Sequence, residues 1–133
     1  MLNISVWVLQ FLLAAAFLAH GWLFLSPPAG MVEQMNASIP PALRIFIGVA
    51  EVLAALGLTL PGMTRVMPSM VPSAAAGLAI VMISATVFHI ARGETTSAVV
   101  TTILFVLVSF VAYTRWKVAP IRPRSAMRAT SNA

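Results

Sequence analysis

At 133 residues the chain has the length of one compact unit, yet 60% of it is hydrophobic, only 8% is charged and the mean hydropathy is +0.97. A water-soluble domain carries about 25% charged residues, so this composition excludes a soluble globular fold and points to an integral membrane protein. The chain has no cysteine, which excludes disulfide exchange, thiolate catalysis and iron–sulfur ligation by its own side chains.

The formal charge is +5, and it is unevenly placed. Arg115, Lys117, Arg122, Arg124 and Arg128, five of the eight basic residues, crowd into the last nineteen positions. The cluster is short, carries no aromatic residue beyond Trp116 and abuts an apolar run. It reads as a topology determinant held against anionic lipid, with no nucleic acid as partner.

The first apolar run spans about residues 4–25, too long for the core of a cleaved signal peptide and without a preceding cation. Trp7 and Trp22 lie near its ends, where interfacial aromatic belts form, and His20 sits just inside. Residues 26–40 form a loop bounded by Pro27, Pro28 and Pro40; within it Met31, Val32 and Met35 at helical spacing predict a short interfacial helix. The second span covers 41–60, with Pro41 in its first turn and a stop at Pro61-Gly62. The third covers 72–91, and the fourth 97–116. Only five residues separate these two, which makes them antiparallel neighbours. The fold class is therefore all-α: an antiparallel four-helix transmembrane bundle over 1–116, followed by a basic tail, 117–133, read as disordered. Counting basic residues per side puts both termini in the cytoplasm.

Glu51 stands halfway along the second span, the costliest depth for a carboxylate, at roughly 2.5–3.5 kcal/mol on insertion scales. Such a group faces a protein interior or a wet cavity. Arg44, Gly48, Glu51 and Ala55 share one helical face, and small residues there let helices approach closely. The same argument assigns Ala74, Gly77 and Ala85 to the inner face of the third span and Ala16 to that of the first. With about 1.5 Å rise per residue, Glu51 is roughly 15 Å below the outer end of its helix, and His20 and His89 roughly 6–8 Å below theirs. Side chains lean toward their helix N-terminus, so the histidines tilt inward and Glu51 outward. This predicts a polar cluster of Glu51, His20 and His89 in the outer half of the bundle, capped by Arg44. Plainer readings stand beside it: Glu51 as interhelical glue, the histidines as interfacial residues, Arg44 as a snorkelling anchor, Arg92 and Glu94 as a solvated loop pair, and the eight methionines as packing.

The stretch RIFIGVAEVLAALGLTLPG, followed by PSAAAGLAIVMISATVFHIARGE, resembles the DoxX-like family of small four-helix membrane proteins. The resemblance covers roughly residues 8–116, and His20-Gly21 fits the short polar motif that closes the first helix of such proteins. It implies a multi-pass protein of the bacterial cytoplasmic (inner) membrane. Some relatives are linked to thiosulfate oxidation with quinone as acceptor, others to membrane-associated oxidoreductase assemblies that handle thiol and superoxide stress. Thiol chemistry does not transfer to a chain without cysteine, so a membrane or soluble oxidoreductase partner would supply it.

Three functions follow as expectations. In the first, the chain binds quinone: Glu51, His89 and His20 move protons, and Arg44, Glu51, His20, His89 and Trp22 line the ligand site. In the second it is a non-catalytic scaffold or partner-binding protein. In the third it binds or isomerises an apolar isoprenoid-like molecule. Haem b held between His20 and His89 is a lesser reading, a homo-oligomer is compatible with the small-residue faces, and no metal site is assigned.

Overall fold

A computed structural model describes residues 1–125 and Met127. Its helices are α1 (Leu2–Leu25), α2 (Ala29–Ser38), α3 (Pro41–Thr64), α4 (Met70–Ala91) and α5 (Thr95–Tyr113), and a π-helical stretch (Thr114–Val118) prolongs the last of them. Four of these segments, Leu2–Leu25, Pro41–Thr64, Met70–Ala91 and Thr95–Val118, are long and apolar enough to cross a bilayer. The short α2 has no buried residue, in keeping with a helix that lies at a surface. Large apolar side chains such as Leu53, Ile80, Val87, Ile90 and Phe110 point outward, as expected of helices whose solvent is lipid.

The helices form two antiparallel pairs, α1 with α3 and α4 with α5, joined where α3 packs on α4. In lipid no hydrophobic force drives this association, so close packing and hydrogen bonds must hold it. The buried stripe of α3 runs Arg44, Gly48, Glu51, Ala55, Leu58 and Gly62. Its alternating steps of four and three residues form a single seam along the helix. Opposite it, α1 buries Val6, Gln10, Leu13, Ala14, Phe17 and Gly21. Leu13, Phe17, Ala55, Leu58, Ala75, Leu78, Met82, Val108 and Val111 make up the shared core.

Glycines set the spacing of the first pair. A Cβ added at Gly21 would lie 2.9 Å from the Gly48 carbonyl oxygen, and one at Gly48 would lie 2.9 Å from that of Gly21. The two backbones therefore touch one turn from Glu51. Gly57 admits the Cβ of Ala74 at the α3–α4 contact, and Gly62 admits the Trp7 ring.

Three boundaries and faces differ from the sequence reading. First, α3 does not stop at Pro61-Gly62. It runs on to Thr64, carries Pro61 inside it, and ends at Arg65 in the left-handed region at φ 56°. Gly62 serves close packing against Trp7 rather than termination. Second, Gly77 and Ala16 face outward, and α4 buries Val71, Ala75, Leu78, Met82 and Thr86 instead. Small size alone does not fix a face when large apolar residues gain as much from the core. Third, the segment after α5 folds back at once: Ile121 packs near Gly62, and the Arg124 N–H donates to the Arg65 carbonyl at 3.2 Å. The rest of the expected disordered tail lies outside the described residues.

The glycine contacts give a direct test. Gly21→Ala or Gly48→Ala pushes a methyl group against backbone and is expected to destabilise the bundle by about 1–3 kcal/mol. Gly77→Ala, with nothing within 4 Å of the added Cβ, is expected to be neutral or stabilising by up to about 1 kcal/mol. Unfolding in detergent micelles checks the contrast.

Candidate functional site

The α1–α3 seam carries the pair on which the site is built. Glu51 is fully buried, and its Oε2 lies 2.6 Å from His20 Nδ1. The two are held together because Gly21 and Gly48, one turn from Glu51, bring the helix axes close. One proton bridges them, either on Nδ1 donating to a carboxylate or on the carboxyl donating to a bare Nδ1. The imidazole is not enclosed: its side chain is 49% exposed and rests against the Phe24 ring at 4.5 Å. Among the described residues, Nδ1 carries the ring's one hydrogen bond, and Glu51 Oε1 is buried without a partner. A shielded acid is thus connected to the bundle surface through a half-open imidazole.

Arg44 lies on the same stripe two turns away and is 8% exposed. Its Nη1 donates to the Phe24 carbonyl, one of the last carbonyls of α1. The last turn of α1 has no basic residue of its own, so α3 supplies the cation that its C-terminal end favours. Arg44 Nε is buried without a partner among the described residues.

His89 takes a different partner. Its Nδ1 lies 2.5 Å from Glu94 Oε2, and Arg92 Nε donates to Glu94 Oε1 at 2.7 Å. Gly93 makes the turn at φ 71°, and the Glu94 N–H donates to the His89 carbonyl at 2.9 Å. That turn folds the nearest carboxylate back onto the last turn of α4. The predicted three-membered cluster is thus divided into two pairs, His20–Glu51 on α1 and α3 and His89–Glu94 at the α4–α5 turn. Trp22 is 65% exposed and points away from the bundle. The carboxyl of Glu94 sits below its ordinary range, chiefly because Arg92 and then His89 hydrogen-bond to it.

A second polar network, at the end of the bundle where α1 begins and α5 ends, was not anticipated from the sequence. Gln10 is fully buried and its Nε2 donates to the Leu58 carbonyl at 2.7 Å. Arg115 donates through Nε to Gln10 Oε1 and through Nη1 to Asn3 Oδ1 at 2.6 Å. The π-helical stretch makes this possible. Its wider turn, marked by the Ala119 N–H donating to the Thr114 carbonyl at 2.7 Å, places two successive residues, Thr114 and Arg115, inside. The available signal was Gln10 itself, an amide within an otherwise apolar run, at a depth where it must find a partner.

With this geometry in hand, comparison with protein families is decisive. The family model described as the DoxX-like family matches residues 8–111. The chain belongs to the DoxX-like family. This DoxX-like protein is a multi-pass membrane protein by family and by its four apolar spans, and its family match takes in His20, Arg44, Glu51 and His89 but not Arg115. Curated proteins and solved structures yield no match.

The α4–α5 clasp has a pH signature. A carboxyl held below its ordinary range adds stability above that range, and the gain is lost as pH falls through the depressed value. Glu94→Gln is therefore expected to lower the melting temperature of this DoxX-like protein near neutral pH, with the difference from wild type vanishing in acid. Paired thermal melts across pH measure it.

Proposed function

We propose that this DoxX-like protein binds a quinone-type carbonyl ligand in the outer half of the membrane, beside the His20–Glu51 pair. The observation that carries this reading is the half-open imidazole bonded to a buried carboxyl at 2.6 Å. The free face of His20 can offer an N–H to a carbonyl oxygen arriving from the lipid. Glu51 then acts as the internal proton store, passing a proton through the imidazole as the carbonyl is reduced to a hydroxyl. Two electrons and two protons convert a quinone to its quinol; the pair supplies one proton, and water at the membrane surface supplies the other by reprotonating the half-exposed imidazole. The electrons come from a partner oxidoreductase, and any thiol chemistry belongs to that partner because this chain has no cysteine. Arg44 holds the end of α1, and with it His20, in place. His89 belongs to a separate pair with Glu94 and acts at the α4–α5 turn.

In this reading the protein sits in a bacterial cytoplasmic membrane with both termini inside, where Arg65 and the basic tail meet anionic lipid. The pair then lies in the leaflet far from the cytoplasm.

A second reading treats the pair as a lock between α1 and α3 in a non-catalytic scaffold. The backbone contact of Gly21 and Gly48 beside it favours this view. One experiment separates the two. Purified protein is titrated with a water-soluble short-chain quinone, following tryptophan fluorescence and thermal stability. The ligand reading expects saturable binding that His20→Ala weakens about tenfold or more, an effect in line with loss of a hydrogen bond to a charged or polarised group. The lock reading expects no binding by the wild type and a loss of stability in both His20→Ala and Glu51→Ala.

A further inference from the structure

The end of the bundle opposite the His20–Glu51 pair holds a guanidinium that meets no counter-charge among the described residues. Arg115 is 2% exposed. Its hydrogen-bond partners are Gln10, Asn3 and the Ala119 carbonyl, and its guanidinium lies 5.0 Å from the centre of the Trp7 ring. Every one of these partners is neutral. Nη2 is buried and has no partner among the described residues. The chain has only three acidic side chains. Glu51 is bonded to His20, Glu94 to His89 and Arg92, and Glu33 lies on α2 at the far end. A buried cation that meets only dipoles is strongly disfavoured unless an anion completes its surroundings.

The structure offers room for one. Arg115 forms part of the wall of a cleft of about 390 Å³ between the start of α4 and the segment after α5. Ser69, Ser73 and Trp116 line it as well. Ser73 donates to the Ser69 carbonyl at 3.0 Å, whereas the Ser69 hydroxyl makes no cap hydrogen bond and has no donor role among the described residues. The N-terminal end of α4 adds its positive dipole. Arg115 is the charged residue in the lining, and no acidic side chain stands there; an exposed indole, Trp116, lies at the edge of the cleft.

We propose that this cleft binds a phosphate-bearing anion, with Arg115 supplying the recognising charge and Ser69 a supporting hydroxyl. A guanidinium suits this role because its planar fork matches the oxygens of a phosphate group. The same chemistry arrives from two sources, the headgroup of an anionic phospholipid or a soluble phosphate. The site is independent of the quinone-type site and shares no residue with it.

The test uses the full chain in two arms. In one, protein is reconstituted in nanodiscs of phosphatidylcholine mixed with phosphatidylglycerol, and the lipids retained after release are counted by native mass spectrometry. In the other, protein in neutral detergent is titrated with inorganic phosphate while tryptophan fluorescence is followed. The proposal expects about tenfold preferential retention of the anionic lipid, or saturable phosphate binding. The first result identifies a headgroup, the second a soluble anion. Arg115→Gln should lose the response by about the same factor. Because that variant also breaks the network with Gln10 and Asn3, Ser69→Asp provides an independent arm. Ser69 makes no side-chain cap hydrogen bond, so its replacement removes none, yet aspartate, itself a favoured residue at a helix start, places a carboxylate in the cleft. Ser69→Asp is expected to stay folded, to melt higher than wild type without added anion, and to lose the response about tenfold. Wild-type protein with no preference in either arm, or folded Ser69→Asp with wild-type binding, overturns the proposal.

Discussion

A carboxyl group buried between transmembrane helices must be given a partner, and much of this structure serves to give Glu51 one. The partner is His20, on a helix that runs the other way and must come close enough for a 2.6 Å contact. Bulky side chains at that level would hold the helices apart. Gly21 and Gly48 remove them, so the backbones touch one turn from the carboxyl. Arg44, on the same stripe, then fastens the end of α1 to α3 by capping the Phe24 carbonyl. The local choices agree: small residues where the backbones meet, a cation where a helix ends, an imidazole where a carboxyl is buried.

The bundle is chemically asymmetric along its length. All three acids lie toward the α2 end or within that half, each histidine there is hydrogen-bonded to a glutamate side chain, and the part-buried pair at the α4–α5 turn is reinforced by Arg92. Among the described residues, the charged side chains of the other end are all cations. One of them, Arg115, is drawn inside by a π-helical turn and held by neutral amides. The first end thus pairs imidazole with carboxyl, and the second holds a buried guanidinium among neutral partners. Lipid-facing surfaces between them carry apolar side chains whose role is solvation.

Much of this was legible from the residues. An apolar run of about 20 residues crossing roughly 30 Å fixes a span whatever its neighbours do, so the four spans and the short surface helix followed from the sequence. The inner face of α3 was legible too, because a mid-membrane glutamate can point only one way. His89 was harder. Its depth and tilt placed it level with His20, but a turn made by Gly93 gave it a carboxylate five residues on, and a local partner is met before a distant one. Arg115 was hidden for a related reason. A cation near the end of a span is expected to snorkel to the headgroups, and no periodicity announces the π-helical turn that carries it inward. Gly77 misled because small residues pack helices only when a neighbour arrives, and here none does.

The central claim, that Glu51 is stabilised in the bundle by His20, is tested most directly by a double-mutant cycle. Wild type, His20→Phe, Glu51→Gln and the double variant would be unfolded reversibly in the same micelles. The account predicts a coupling of about 1–3 kcal/mol between the two positions. Additive effects, within about 0.5 kcal/mol, would contradict it and would leave the carboxyl buried for some other reason.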